Sequence, residues 1–153
     1  MIKPRLESSL QPKEWFNIRC ASGAAEHIPI AIQSLLSRNA NERHEARFSI
    51  DNEAVRQSDR YEAAAYVIGP LSECLATKPA YGQEEMYEIL IEIAAGSDMP
   101  GEFVKLTSGN EITLAEACEM EFVRFRDVYE QGTVDSNIGQ LARELIEVIN
   151  DPD

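Results

Sequence analysis

Apolar residues recur at spacings of three and four in nearly every segment after residue 23 of the chain. This spacing places them on one face of a helix, whereas the alternation that is typical of strands is scarce. Turns rich in Gly, Pro, Ser and Asn separate the segments, so successive helices are expected to pack as antiparallel neighbours. The pattern predicts an all-α fold of about six to seven helices, arranged as antiparallel hairpins.

The chain has 153 residues, and nothing in the pattern requires more than one domain, 1–153. We divide it into an N-terminal lead-in, 1–22, the first helical hairpins, 23–96, a long loop, 97–112, and the C-terminal helices, 113–149. The long loop contains Pro100 and a Ser-Gly-Asn turn, and its FVKL stretch is a candidate for a short hairpin. A loop of this length inside a compact domain is often functional.

Two helix starts carry a capping signal, in which a cap residue and a carboxylate three positions later satisfy the first free amides. They are Asp59 with Glu62, and Thr113 with Glu116. The first predicts a helix RYEAAAYVIGPLSECLAT that is apolar on most of its surface and is therefore central. The second predicts one continuous helix, TLAEACEMEFVRFRDVYEQ, that ends at Gly132.

A Gly-Pro pair, Gly69-Pro70, lies in the middle of the predicted central helix. Proline inside a helix removes one backbone donor and costs roughly 3 kcal/mol. Two explanations stay open. The helix is buried, bent and continuous, with Gly69 permitting close approach of a neighbour, or it ends at Gly69 and a new helix begins at Pro70.

The charge of the chain is strongly negative and unevenly distributed. The formal net charge is −13, and residues 1–60 hold 9 Lys and Arg against 8 Asp and Glu, whereas residues 61–153 hold 5 against 19. Direct binding to nucleic acid is disfavoured, because Lys and Arg supply most of that affinity by neutralising phosphates. One face or end must be strongly acidic, and a cationic partner is the first to consider.

The start of the chain lacks the apolar stretch of a signal peptide, and no window reaches the roughly 18 apolar residues of a membrane span. Three cysteines, Cys20, Cys74 and Cys118, are odd in number and far apart, which favours free thiols in a reducing cytoplasm. Only His27 and His44 are present to join them, so no metal site is predicted. We expect a cytoplasmic protein without a membrane partner.

The sequence contains no motif of a known catalytic site, such as a nucleophile elbow, a phosphate-binding glycine loop or a metalloprotease helix. Pairs of carboxylates are numerous, but 27 acidic residues produce such pairs by chance. A general acid and base cannot be singled out among them. The protein is therefore expected not to be an enzyme and to need no cofactor.

Acidic residues line two predicted helices, and tyrosines near them are candidate aromatic anchors. The candidate partner-binding residues are Glu62, Glu73, Glu84, Glu85, Glu88, Glu92, Glu116, Glu119, Glu121, Asp127 and Glu130, with Tyr61 and Tyr87. The helix that begins near Gln83 has no basic residue, so its like charges cost about 0.2–0.5 kcal/mol per pair. Such a face is either a solvated, solubilising surface or a docking surface that speeds encounter with a basic protein.

Four stretches follow one another between residues 28 and 149: SLLSRNANERHEARFSI, AVRQSDRYEAAAYVIGPLSECLA, EILIEIAAG and LARELIEVI. They alternate polar and apolar helices, and VIGPL resembles the proline-containing core of a HEAT-like unit. The chain resembles small bacterial HEAT-like α-solenoid proteins, whose two-helix units bury their faces by stacking. The resemblance implies a short solenoid.

Proteins of this kind often serve as immunity partners of polymorphic toxins, including contact-dependent inhibition toxins. The resemblance and the acidic charge together predict a non-enzymatic immunity protein that binds and neutralises a cognate toxin domain, most plausibly a basic nuclease. The alternative is a HEAT-like scaffold or adaptor that binds another protein or a peptide. DNA glycosylases and bilin lyases of similar architecture form a third, enzymatic class, and the acidic balance disfavours the glycosylase.

Overall fold

The computed structural model of the protein describes residues 9–56, 59–98 and 101–151. Seven α-helices lie in this part of the chain: α1 Ile28–Ser34, α2 Ala40–Ala54, α3 Glu62–Ala76, α4 Gln83–Ala95, α5 Leu114–Arg124, α6 Arg126–Gly132 and α7 Gly139–Asn150. A 3-10 turn at Trp15–Asn17 precedes them. The prediction of a mainly helical fold is confirmed. The first eight residues of the predicted lead-in lie outside the described ranges.

Three small sheets make the purely all-α class wrong. Their strands are β1 Arg19–Cys20, β2 Gly23–Ala24, β3 Val55–Arg56, β4 Asp59–Arg60, β5 Ser97–Asp98, β6 Phe103–Lys105 and β7 Glu111–Thr113. Strands β1 and β2 form one hairpin, β3 pairs antiparallel with β4, and β4 pairs parallel with β5. The expected FVKL hairpin is confirmed as β6 with β7, so the predicted loop 97–112 contains strands.

Helix α3 lies at the centre of the molecule. It packs against α2, α4, α5, α6 and β1, and α4 also contacts α2 and α7. In a solenoid each unit contacts only its neighbours along the chain. Four of the described helices therefore pack around one central helix, and the stacked solenoid that the resemblance implied is not seen.

The Gly69-Pro70 pair lies inside one continuous helix, which excludes a helix that ends at Gly69 and restarts. A Cβ built on Gly69 would stand 3.4 Å from Oε1 of Glu121 and 3.8 Å from the Phe125 ring, so α5 packs close to Gly69 but leaves room for a methyl group. Ile68 and Leu71 on either side are fully buried. Burial of each contributes about 1.5–3 kcal/mol, enough to offset the missing hydrogen bond at Pro70.

Of the two predicted caps, one is confirmed and one is wrong. Thr113 and Glu116 form the expected capping box at the start of α5. Asp59 lies in β4 and does not cap α3, because the helix begins only at Glu62 and Tyr61 occupies the N-cap position. The carboxylate of Glu62 is engaged elsewhere. It accepts hydrogen bonds of 2.8 Å from Nζ of Lys13 and from the amide of Arg19.

The helix predicted from residue 113 to Gly132 is divided in two at Phe125. Phe125 has φ −108° and ψ 15°, outside the helical region, and its partly buried ring packs against the core. Helix α6 begins after this break, and its Tyr129 is buried against α3, where its hydroxyl lies 2.6 Å from that of Ser72.

A buried arginine joins three separate parts of the fold. Nη2 of Arg60 in β4 lies 2.9 Å from Oδ1 of Asp98 in β5, and its Nη1 donates to the carbonyl of Ile93 at 3.2 Å. The second carboxylate oxygen of Asp98 accepts the amide of Ala115 at 2.8 Å, in the first turn of α5. This network connects the end of α4 to the beginning of α5.

Substitution Gly82→Ala is expected to destabilise the protein by about 2–4 kcal/mol. Gly82 has φ 94°, and a Cβ there would collide with the carbonyl oxygen of Leu35, so strain and overlap add. The matched control is Gly109→Ala, since Gly109 has φ 92° and no atom within 4 Å of its added Cβ. Urea unfolding should give a loss of about 1 kcal/mol for the control. Equal losses would show that the contact with Leu35 is unimportant.

Candidate protein-binding site

Four carboxylates gather where α2 meets α4. Glu84, Glu88 and Glu92 follow one another at four-residue spacing along α4, and Asp51 comes from the last turn of α2. Asp51 interacts electrostatically with Glu88 and Glu92, and Glu88 with Glu84. We call these four residues the acidic cluster. Asp51 was not among the residues chosen from the sequence, because nothing in its own helix points to it.

The acidic cluster holds more negative charge than its surroundings neutralise. Burial, with the charges of Glu92 and Glu88, raises the pKa of Asp51 to about 6, although Arg47 opposes the shift. Oδ1 of Asp51 is buried and has no hydrogen-bond partner among the described residues. Burial also raises the pKa of Glu88, with Arg47 opposing and Glu84 reinforcing the shift. A positive charge brought to this cluster from outside would stabilise it.

Helix α4 has no basic residue of its own, but two arginines of α2 pair with its acidic residues. Nε of Arg43 lies 3.1 Å from Oε2 of Glu85, and Nε of Arg47 lies 3.2 Å from Oε1 of Glu88. Glu85 is buried, so this predicted binding residue joins two helices and does not face solvent. Glu84 and Glu92 remain exposed and form no salt bridge within the described part of the chain.

Most carboxylates of the second predicted acidic stripe form contacts within the molecule. Glu116 belongs to the capping box, and Glu130 pairs with Arg126 at 3.2 Å. Glu121 is buried, 3.4 Å from the guanidinium of Arg124. Only Glu119 and Asp127 of this stripe are exposed without a salt bridge among the residues described here.

Two further predicted contact residues are interior. Glu62 is 4% exposed and is held by Lys13 and Arg19, and Tyr87 is 1% exposed. The ring of Tyr87 packs edge-on against Tyr129, with ring centres 6.4 Å apart. Neither side chain can contact a partner at the surface. The sequence-based choice of Glu62 and Tyr87 as binding residues is therefore wrong. Tyr61 is partly exposed, at the position before α3.

A pocket of about 530 Å³ lies between the N-terminal segment and the part of α3 that contains Gly69 and Pro70. It brings together Glu73 and Glu121, which belong to different predicted helices, beside Trp15 and Tyr66. Burial raises the pKa of Glu121, and the charge of Glu73 adds to the effect while Arg124 opposes it. The pocket is built from elements other than those of the acidic cluster, so the predicted binding residues do not form one surface.

One group of residues that the sequence analysis did not connect lies at the first hairpin. Cys20, His27 and Glu53 place one possible metal-ligand atom each within 4.8 Å of one another. The sequence carries no signal for this group, because the three residues occupy three different elements and lack the close spacing of known metal motifs.

Comparison of the chain with protein families, with curated proteins and with solved structures found no match. Within the described residues, no helix combines the length and the apolar character that crossing a membrane requires. The function is therefore argued from the charge and geometry of the surface.

Asp51 should make the stability of the protein depend on pH. Its pKa is higher in the folded protein, about 6, than in an unfolded chain, so the folded state retains the proton more strongly. The resulting stabilisation is complete at low pH and is lost as the pH rises through about 6. We expect Asp51→Asn to be more stable than wild type by about 1–2 kcal/mol at pH 7, after allowance for solvent screening.

The measurement is urea unfolding at pH 7 and near pH 4, where the gain of the variant should shrink. Glu45→Gln is the control, because Glu45 is an exposed carboxylate on the same helix. A gain for Asp51→Asn that is unchanged between the two pH values would contradict the raised pKa of Asp51.

Proposed function

We propose that the protein is a non-enzymatic immunity protein that binds and neutralises a basic toxin domain, most plausibly a nuclease, through the acidic cluster. The observation that carries this proposal is the set of carboxylates at Asp51, Glu84, Glu88 and Glu92, which includes a side chain whose pKa is about 6. The residues that supply the charge are mostly on one regular helix, so they present a fixed surface to the partner.

A nuclease must itself attract phosphate, so its active site or substrate groove carries Lys and Arg. The acidic cluster carries the same sign of charge as nucleic acid and can therefore bind to such a groove. The three glutamates extend over about 12 Å along α4, so more than one cationic side chain of the partner can contact them. Opposite charges across the interface accelerate association and reject acidic bystander proteins.

The raised pKa of Asp51 predicts that binding of the partner depends on pH. A cation placed at the acidic cluster favours ionised Asp51, so binding releases a proton when the pH is near or below 6. Affinity should therefore increase as the pH rises from about 5 to 7. A partner that is neutral or acidic, or that binds on another face, would not show this dependence, so the pH profile tests whether a cationic partner occupies the acidic cluster.

The test first determines whether a gene adjacent to that of this chain encodes a basic toxin domain, and it uses that domain in isolated form. Wild type should restore growth of cells that express this domain and should bind it in stopped-flow experiments. The double variant Glu84→Lys/Glu92→Lys should reduce the association rate at least about 10-fold and weaken its dependence on salt. Both residues are exposed and unpaired in the described structure, so the variant should keep its fold.

The matched control is Glu144→Lys/Glu147→Lys, which changes the net charge by the same amount on exposed positions of α7. Equal slowing by the two variants would show that total charge matters and that the acidic cluster is not the binding site. If wild type neither binds nor neutralises the neighbouring domain, the immunity proposal is wrong.

A further inference from the structure

Three elements bring a thiol, an imidazole and a carboxylate together. Cys20 belongs to β1, His27 directly precedes α1, and Glu53 lies in the last turn of α2. One atom of each, sulfur, ring nitrogen and carboxylate oxygen, lies within 4.8 Å of the other two. We infer that Cys20, His27 and Glu53 form a binding site for one zinc ion, with water as the fourth ligand.

The separations of these atoms suit a tetrahedral ion after a small movement. With zinc about 2.3 Å from sulfur and about 2.0 Å from nitrogen or oxygen, ligand atoms stand about 3.3–3.6 Å apart. Nε2 of His27 is 3.7 Å from Oε2 of Glu53, close to that value. Every separation in the group is 4.8 Å or less, so the sulfur needs to approach by at most about 1.2 Å.

The carboxylate of Glu53 is already oriented by the hairpin. Ser22 donates its amide to Oε1 at 2.8 Å and its hydroxyl to Oε2 at 2.7 Å. The backbone carbonyl of Glu53 accepts the amide of Ala21 at 2.9 Å. Groups that hold a ligand in place in this way are characteristic of zinc sites, and each oxygen keeps a lone pair for the ion.

The imidazole of His27 is the second indication of a ligand. Its Nε2 is buried and has no hydrogen-bond partner among the described residues, since 3.7 Å to Glu53 is too long for one. The side chain as a whole is 36% exposed, so the group lies close to solvent. A nitrogen that is neither hydrogen-bonded nor freely solvated gains most from coordination.

The donor set selects the metal. Sulfur and nitrogen donors favour zinc over magnesium or calcium, which bind through oxygen atoms alone. Coordination requires the thiolate, so zinc binding releases a proton and strengthens with rising pH. The bound ion would fasten the first hairpin to α2.

The experiment is a titration of the full-length protein with Co²⁺ after removal of metals by a chelator. Cobalt replaces zinc in tetrahedral sites and reports thiolate coordination through an ultraviolet charge-transfer band. We expect one equivalent of Co²⁺ to bind with that band and with intense visible bands, and Zn²⁺ to displace it. Zn²⁺ should also raise Tm, because it binds the folded state.

Cys20→Ser should abolish the charge-transfer band, and His27→Gln should weaken Co²⁺ binding at least about 10-fold. The matched controls Cys74→Ser and His44→Gln should leave the titration unchanged. If Cys20→Ser fails to fold by circular dichroism, His27→Gln decides, because its side chain is partly exposed. The zinc site would be overturned if wild type lacked the band, or if Cys74→Ser lost it to the same extent as Cys20→Ser. Cys20 would then be an ordinary hydrogen-bonded thiol. Binding of the toxin domain is measured separately and does not enter this test.

Discussion

The burial of α3 is the constraint on which the rest of the structure depends. Its residues are apolar around most of the circumference, so the helix is stable only if other elements cover it on every side. Helices α2, α4, α5 and α6 and strand β1 supply that cover. Helix α5 packs close to α3 at Gly69, and burial of Ile68 and Leu71 offsets the cost of Pro70.

This arrangement decides how the uneven charge of the chain is distributed in space. The basic residues of the first part of the chain reach the acidic residues of the second across helix contacts. Arg43 and Arg47 of α2 neutralise Glu85 and Glu88 of α4, and Lys13 and Arg19 hold Glu62. The negative charge that remains unpaired near α2 and α4 is therefore confined to a few positions, and these form the surface proposed to bind a basic protein.

Helix α2 connects the two proposed sites. Asp51 and Glu53 are two residues apart, so their side chains point about 200° apart around the helix axis. Asp51 faces the glutamates of α4, and Glu53 faces the first hairpin with Cys20 and His27. A zinc ion at the second position would hold the end of α2 in place and thereby fix the direction in which Asp51 is presented.

The sequence by itself determined the features that depend on residues a few positions apart. Apolar spacing located the helices, including the central one, and the pairing of Thr113 with Glu116 predicted the start of α5, because a capping box is a contact within one turn. The FVKL hairpin followed from the turn residues beside it.

Tertiary structure decided what depends on residues far apart in the chain. Glu62 pairs with Lys13 and Arg19 and does not form a capping pair with Asp59. Strand β4 pairs with β5, and Tyr87 is buried under α7 and Tyr129. The acidic cluster and the group of Cys20, His27 and Glu53 also belong to this second class, because spacing along a chain carries no information about which faces of two distant helices will meet.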